Sequence, residues 1–253
     1  MDLAAGLRGR HVLVTGASSG LGAHFARLCA RSGAEVTVAA RRRDRLDRLV
    51  EALREAGAPR ASAVALDVAD ADSVEAAFAG LARLPDVVVN NAGVAEGGPA
   101  LDTDLSVFDR VIATNLRGVW AVSVAAARRW RGAARGGVIL NVASILGLRV
   151  AGGVGPYTVS KAGVVQMTEA LALEWARYGI RVNALAPGYI DTDINRDFFA
   201  TPAGEALVRR IPMRRLGQPE DLDAAFLLLA TDASAWMTGV TLPVDGGHLV
   251  SGL

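Results

Sequence analysis

Two side chains able to move a proton stand four residues apart, in the run Tyr157-Thr158-Val159-Ser160-Lys161. On a helix that spacing puts Tyr157 and Lys161 on one face, a turn apart. Lys161 is the only lysine in 253 residues; every other basic chain among the 27 Lys+Arg is arginine. Chance survival explains a lone lysine by itself. Beside a tyrosine, it reads as a position needing a compact ammonium rather than a planar fork. A free tyrosine, with a pKa of about 10, exchanges protons poorly at neutral pH. An adjacent ammonium favours phenolate and is expected to pull that value down.

Two more polar residues fit the same chemistry. Ser144 follows the apolar run Val138 to Val142 by two residues, where its hydroxyl could hold a substrate oxygen beside Tyr157. Asn115 interrupts the stripe Phe108, Val111, Ile112, Val119 and Val122. An amide on a buried face must find partners, in packing or in a water chain. A satisfied tyrosine, a capping serine and a surface lysine account for these residues singly. Their joint occurrence points to hydride transfer with a tyrosine as proton donor.

Such a transfer needs a dinucleotide. Gly16-Ala17-Ser18-Ser19-Gly20-Leu21-Gly22 joins the first apolar run to the first helical pattern. Glycine there permits a tight turn and lets backbone amides approach a pyrophosphate at the helix N-terminus. The spacing is Gly-x-x-x-Gly-x-Gly, and no Lys-Ser or Lys-Thr follows to make a P-loop. The second strand ends in Ala39-Ala40-Arg41-Arg42, without the carboxylate that would hold a ribose 2′-hydroxyl and repel a 2′-phosphate. A guanidinium fork suits that phosphate, so NADP(H) is favoured, with NAD(H) as the alternative. Asn90-Asn91-Ala92-Gly93 follows the fourth strand, where small and amide residues let an adenosine lie against backbone. Asp67, with Val68 after it, ends the third strand and could accept from an adenine amino group.

The elements that must position these groups alternate along the chain. Strands are expected at His11 to Thr15, Glu35 to Ala40, Ala63 to Leu66, Val87 to Val89, Val138 to Val142, Arg181 to Leu185 and Val240 to Val244. Helical patterns separate them: Leu21, Phe25, Leu28 and Cys29 share one face, and Val74, Ala77, Phe78 and Leu81 another. Further helices run from Asp44 to Ala56, from Asp104 to Trp130 with a break near Gly118, and from Tyr157 to Tyr178. Apolar strands alternating with helices describe a doubly wound α/β fold, a parallel sheet covered on both faces with ligands at the carboxyl strand ends. No linker or repeat divides the 253 residues, so a single domain is expected, with an irregular segment at 188–216 as a substrate flap.

Composition narrows the rest. The chain is 51% hydrophobic, 21% charged and +1 in net charge, which offers no footprint for nucleic acid or anionic membrane. His11, His24 and His248 lack ligand spacing, so no metal is expected. Cys29 alone forms no internal disulfide, and neither a signal-like apolar stretch nor a run of about 20 apolar residues is present. A cytoplasmic enzyme is expected.

These motifs together resemble the short-chain dehydrogenase/reductase family, classical type, over essentially the whole chain. Gly16, Gly20 and Gly22 match its cofactor motif, and Asn90-Asn91-Ala92-Gly93 its second signature. Asn115, Ser144, Tyr157 and Lys161 match the catalytic tetrad. Pro187-Gly188, with Ile190 and Thr192 after it, matches the nicotinamide-lining segment. The resemblance implies a Rossmann-like three-layer α/β/α sandwich with seven parallel strands. It also implies a homotetramer built partly from the two long helices. Tyr157 would be the general acid–base, Ser144 would place the substrate oxygen, Lys161 would bind the nicotinamide ribose, and Asn115 would anchor a relay water. The substrate is a small alcohol or ketone, with Ser144, Ile145, Leu146, Val150, Tyr157, Tyr189, Phe198 and Phe199 forming a partly apolar pocket. A 3-oxoacyl or related β-keto compound and a sugar-like or hydrophobic alcohol both remain open, as does any role for Arg149, Arg196, Arg209 and Arg210. The reading from another class is a dinucleotide-binding regulatory protein without turnover.

Overall fold

The computed structural model describes residues 2–192 and 196–251, and no side chain for Arg196. Residues 193–195 of the expected flap therefore lie outside the described residues. Seven strands form one sheet: β1 (His11–Thr15), β2 (Glu35–Ala40), β3 (Ala61–Ala65), β4 (Val87–Asn90), β5 (Gly137–Val142), β6 (Ile180–Pro187) and β7 (Thr241–Val244). Their order is β3-β2-β1-β4-β5-β6-β7, and every pairing is parallel.

Alternation along the strands builds two cores. Val12, Val14, Val36 and Val38 point into one layer, with α1 (Gly20–Arg31), α2 (Arg43–Glu55) and the late helix Asp223–Ala230. There Phe25 and Phe226 stack at 4.6 Å between ring centroids. Leu13, Ala39, Val88 and Ile139 point into the opposite layer, with α3 (Ala71–Ala79), α5 (Gly118–Gly132) and α6 (Gly155–Trp175). Trp130 is fully buried there and donates its indole N–H to the Pro85 carbonyl at 2.7 Å. Helices on both faces and seven parallel strands make this the Rossmann-like α/β/α sandwich expected from the sequence.

One expectation changes form. The long helix is not broken at Gly118. Instead α4 (Leu105–Ile112) runs into a single π turn, Ala113–Arg117, and continues as α5. The Gly118 N–H reaches back to the Ala113 carbonyl, an i→i+5 bond. Gly118 is needed because Val68 lies close: a Cβ would sit 2.8 Å from the Val68 Cγ2. The extra residue in that turn swings Asn115 inward. Among the described residues, no helix is long and apolar enough to cross a membrane, and no group of His, Cys, Asp or Glu could hold a metal. Cys29 is buried, and burial pushes its thiol well above the usual range.

His11 opens β1 in a polar row that is buried at His11 and Thr37 and reaches the surface at Ser62. Its Nε2 meets the Thr37 Oγ1 at 2.8 Å, Thr37 meets the Ser62 Oγ at 2.9 Å, and Nδ1 is buried without a partner. Burial holds this imidazole below its ordinary pKa. The unfolded chain takes up the proton near pH 6.5 and the folded protein only lower, so stability is whole above about pH 6.5 and falls as pH drops through that window. Thermal melts of the wild type and His11→Asn between about pH 7.5 and 5 should show a shallower acid decline in the variant. Parallel curves would remove His11 from the account.

Candidate active site

The chain reverses its winding between β1 and β4, so their carboxyl ends open a crevice. Its floor is the turn after β1. Gly16 (φ +65°) and Gly20 (φ +55°) take left-handed backbone that a side chain would strain. A Cβ on Gly16 would lie 2.6 Å from the Ala92 Cα, and one on Gly22 would lie 2.4 Å from the Asn91 Nδ2. Bare backbone is therefore required where the turns after β1 and β4 meet. Thr15 ties them together. Its hydroxyl donates to the Val89 carbonyl at 3.2 Å and accepts the Asn91 and Ala92 N–H groups at 3.1 and 3.2 Å. Asn91 answers by donating to the Thr15 and Gly16 carbonyls at 3.1 and 3.2 Å. Sequence reasoning misses Thr15, because a β-branched residue closing a strand has no distinctive spacing.

The crevice, of about 360 Å³, takes in every cofactor-binding residue expected from the sequence except Gly22, which lies beneath the turn. At its mouth the Arg42 Nη2 donates to the Ser18 Oγ at 2.8 Å and the Ser19 Oγ at 3.3 Å. Arg41 stands beside it, so two cations border the glycine turn. Asp67 is partly engaged, its Oδ1 accepting the Ala69 N–H at 3.0 Å. Bare backbone, left-handed glycines and flanking arginines are features that fit a pyrophosphate and a further phosphate.

At the other end of the crevice β5 and α6 deliver Ser144, Tyr157 and Lys161. Ser144 leaves β5 in extended backbone and caps the 3₁₀ turn Ile145–Gly147, its Oγ accepting the Leu146 N–H at 3.1 Å. Tyr157 lies in the first turn of α6, just after Pro156, which suits a helix start. Lys161 is one turn on and 5% exposed, its Nζ donating to the Val142 carbonyl at 2.7 Å. That Nζ sits 5.6 Å from the Tyr157 ring centroid.

Burial draws the Lys161 pKa down to about 8. It also pushes the Tyr157 phenol up, an effect opposed by a hydrogen bond from Ser144 and reinforced by nearby Tyr189. This corrects the expectation that Lys161 lowers the tyrosine. The cost of desolvating a phenolate prevails, and Lys161 is not among the groups acting on the phenol.

Asn115 is fully buried behind this group rather than lining the crevice. Its Oδ1 accepts the Val94 N–H and its Nδ2 donates to the Val94 carbonyl, both at 2.8 Å. The same Nδ2 reaches the Ser160 Oγ at 3.2 Å, and Ser160 donates to the Tyr157 carbonyl at 2.7 Å. Asn115 thus fixes the loop after β4 against the helix that carries Tyr157. A second buried network supports the strand ends. Asn90 donates to Ser123 and Asn141, and Asn141 donates to Thr168, all at 2.9 Å. Its sequence signal is an asparagine closing one apolar strand and another within the next.

The substrate-side residues divide. The Tyr189 ring lies 5.8 Å from that of Phe199, and Phe198 and Phe199 are 5.2 Å apart. Phe198 is half exposed, whereas Ile145 is buried in packing and Leu146 half-buried. Val150 is 79% exposed, and of the eight expected substrate residues only Ser144 and Tyr157 line the crevice.

A family profile described as enoyl-(acyl carrier protein) reductase matches residues 16–248. L-rhamnose 1-dehydrogenase (NAD(P)(+)) of Azotobacter vinelandii is 39% identical over 247 residues, 95% of this chain and 96% of that protein. 3beta-hydroxysteroid dehydrogenase 1 of Eggerthella lenta is 40% identical over 250 residues, covering 95% and 94%. Among solved structures, a gluconate 5-dehydrogenase from Burkholderia cenocepacia J2315 in complex with NADP and tartrate superposes with a TM-score of 0.94 at 33% identity over 100% of both chains. The chain belongs to the short-chain dehydrogenase/reductase family, classical type, and is an NAD(P)(H)-dependent oxidoreductase acting on CH–OH and C=O groups.

Proposed function

We propose that this oxidoreductase uses NADP(H) and interconverts a secondary alcohol and its ketone, with Tyr157 giving and taking the proton. The observation that carries the reading is the meeting of Ser144 and Tyr157 at one end of a crevice whose other mouth is bordered by Arg41 and Arg42. The nicotinamide, when bound, supplies or accepts the hydride at the reacting carbon. Ser144 orients the substrate oxygen. Tyr157 then protonates it in reduction and deprotonates it in oxidation. Lys161, held on the Val142 carbonyl, presents its ammonium to the ribose side, and Asn115 positions the loop and helix between which the substrate enters. One domain carries all of this, with residues 188–216 as the flap. The flap's neck is tied by the Gly217 N–H on the Tyr189 carbonyl at 2.9 Å and the Asp191 N–H on the Gly217 carbonyl at 2.8 Å.

Two features support the finer claims. Ala40 leaves no carboxylate at the end of β2, and Arg42 already braces the serines of the glycine turn. Leu105, Trp120, Val159 and Leu173 are exposed on α4, α5 and α6, an apolar surface that a second copy of this chain would cover in a homotetramer. The test is kcat/KM with NADPH and with NADH. Arg42→Ala should lose about 10-fold or more with NADPH, the worth of a charge-assisted hydrogen bond, and keep its NADH rate. Arg41→Ala should fall in the same direction. A wild-type preference for NADH would overturn the cofactor assignment and favour the NAD(H)-dependent reading.

A further inference from the structure

Among the described residues, two hydrogen bonds join β5 to α6. One is the Lys161 ammonium on the Val142 carbonyl at 2.7 Å. The other lies one strand residue earlier and two helical turns later, where the Asn141 Nδ2 donates to the Thr168 Oγ1 at 2.9 Å. Lys161, Val164 and Thr168 share one face of α6, and each is buried. Between the two bonds Val164 packs in a buried group with Ala143, Ala184 and Ala186, apolar contacts that carry no direction.

The second bond belongs to a run whose donors have one possible order. Thr168 spends its hydroxyl proton on the Val164 carbonyl at 2.8 Å, so its oxygen can only accept from Asn141. The Asn141 carbonyl oxygen must then face Asn90, which donates to it and to the Ser123 Oγ, both at 2.9 Å. Ser123 stands on α5, Asn90 closes β4, Asn141 lies in β5 and Thr168 in α6, so the run crosses from one helix to the other through both strands. All its members are buried, and the Asn90 Oδ1 has no partner among the described residues. Apolar side chains of the same shape would remove that loss. What the bonds hold is spacing, with α6 at a set height over β5.

We propose that the Asn141–Thr168 bond is the clamp that sets the Lys161 ammonium, which makes Asn141 and Thr168 positioning residues for the oxidoreductase reaction. The proposal rests on the reading of Lys161 as a working residue of the site and adds what holds it. With the bond made, α6 lies close enough for Nζ to reach the Val142 carbonyl out of water, and burial alone draws its pKa to about 8. Without the bond, Asn141 has a buried donor and no acceptor, and helix and strand must part to let water reach it. The same water reaches the ammonium and returns its pKa towards the usual lysine range.

The experiment follows that ammonium directly. Protein grown on lysine isotopically labelled at Cε gives a single side-chain resonance, because Lys161 is the only lysine. Titrated without cofactor, the wild type should show a midpoint at about pH 8. Thr168→Val keeps the shape and removes the hydroxyl, and its midpoint should rise by about 0.5 or more. Thr168→Ser should restore the wild-type titration. Thr231→Val removes another buried hydroxyl outside the crevice, and should lower the melting temperature yet leave the midpoint alone. If Thr168→Val does not fold, Thr168→Cys carries the same test, its thiol being the weaker partner. An unchanged midpoint in a destabilised Thr168 variant would make the run of bonds structural only and overturn the proposal. So would a wild-type midpoint at about 10.4, the ordinary lysine value. Addition of NADPH to the wild type judges the reading of Lys161 separately. A midpoint that rises in Thr168→Val, beside a wild-type signal that NADPH does not move, would uphold the clamp and take Lys161 off the nicotinamide ribose.

Discussion

Tyr157→Phe is expected to lower kcat/KM by about 10²- to 10⁴-fold, the range that positioned proton transfer supplies, while NADPH binds nearly as before. The substitution removes one oxygen and keeps the ring. The phenyl group would still fill the space beside Lys161, and the Ser144 turn would keep its own bond to the Leu146 N–H. What disappears is the phenol on which the Ser144 hydroxyl acts. Because burial pushes that phenol up, it is protonated at neutral pH, ready to serve reduction without a change of state. Oxidation needs it ionised, so wild-type oxidation should climb with pH over a range where reduction stays level. Residual Tyr157→Phe activity should lose this asymmetry. The measurements are steady-state rates in both directions, a fluorescence titration of NADPH and a thermal melt. Activity within about tenfold of wild type, with the pH asymmetry intact, would move the proton donor elsewhere.

Lys161→Arg keeps the charge and should still cost about 100-fold in kcat. The ammonium occupies a closed place: 5% exposed, its Nζ on the Val142 carbonyl at 2.7 Å, with burial drawing its pKa to about 8. A guanidinium needs width in a plane that this packing does not leave. Forcing it in should also lower stability by about 1–3 kcal/mol, the usual cost of an overfilled site. Lys161→Met separates the two effects, because it fits the stem, removes the charge and should lose kcat without the same drop in melting temperature. An arginine variant with normal kcat would mean that the solitary lysine has no special task.

Much of this is legible in the sequence. Strand cores at Val12–Val14, Val36–Val38 and Val87–Val89 are set by apolar runs, and the structure places them in one parallel sheet. Edges were harder. β3 runs from Ala61 rather than Ala63, because its extent follows backbone pairing, with Ala61 opposite Val36, and Ser62 gives no apolar signal. The π turn at Ala113–Arg117 was legible only as a disturbance near Gly118. What makes it is distant: the Val94 backbone clasping Asn115 and Val68 pressing on Gly118. The direction of the Tyr157 shift also lay beyond sequence. Tyr-x-x-x-Lys places an ammonium nearby, but burial, which only the folded packing sets, decides which influence prevails.

The clasp at Thr15 bears on when this protein becomes competent during folding. Its hydroxyl gathers the Asn91 and Ala92 amides from 76 and 77 positions downstream. A nascent chain that has made β1, the glycine turn and α1 therefore owns only half a floor. The other half arrives when β4 docks and closes that long loop, an event whose entropic cost is met late. A dinucleotide bound in the proposed crevice would span the seam and, by mass action, select chains in which it has closed. Recovery of NADPH binding during refolding should accordingly report the joining of β1 to β4 and trail the formation of helix.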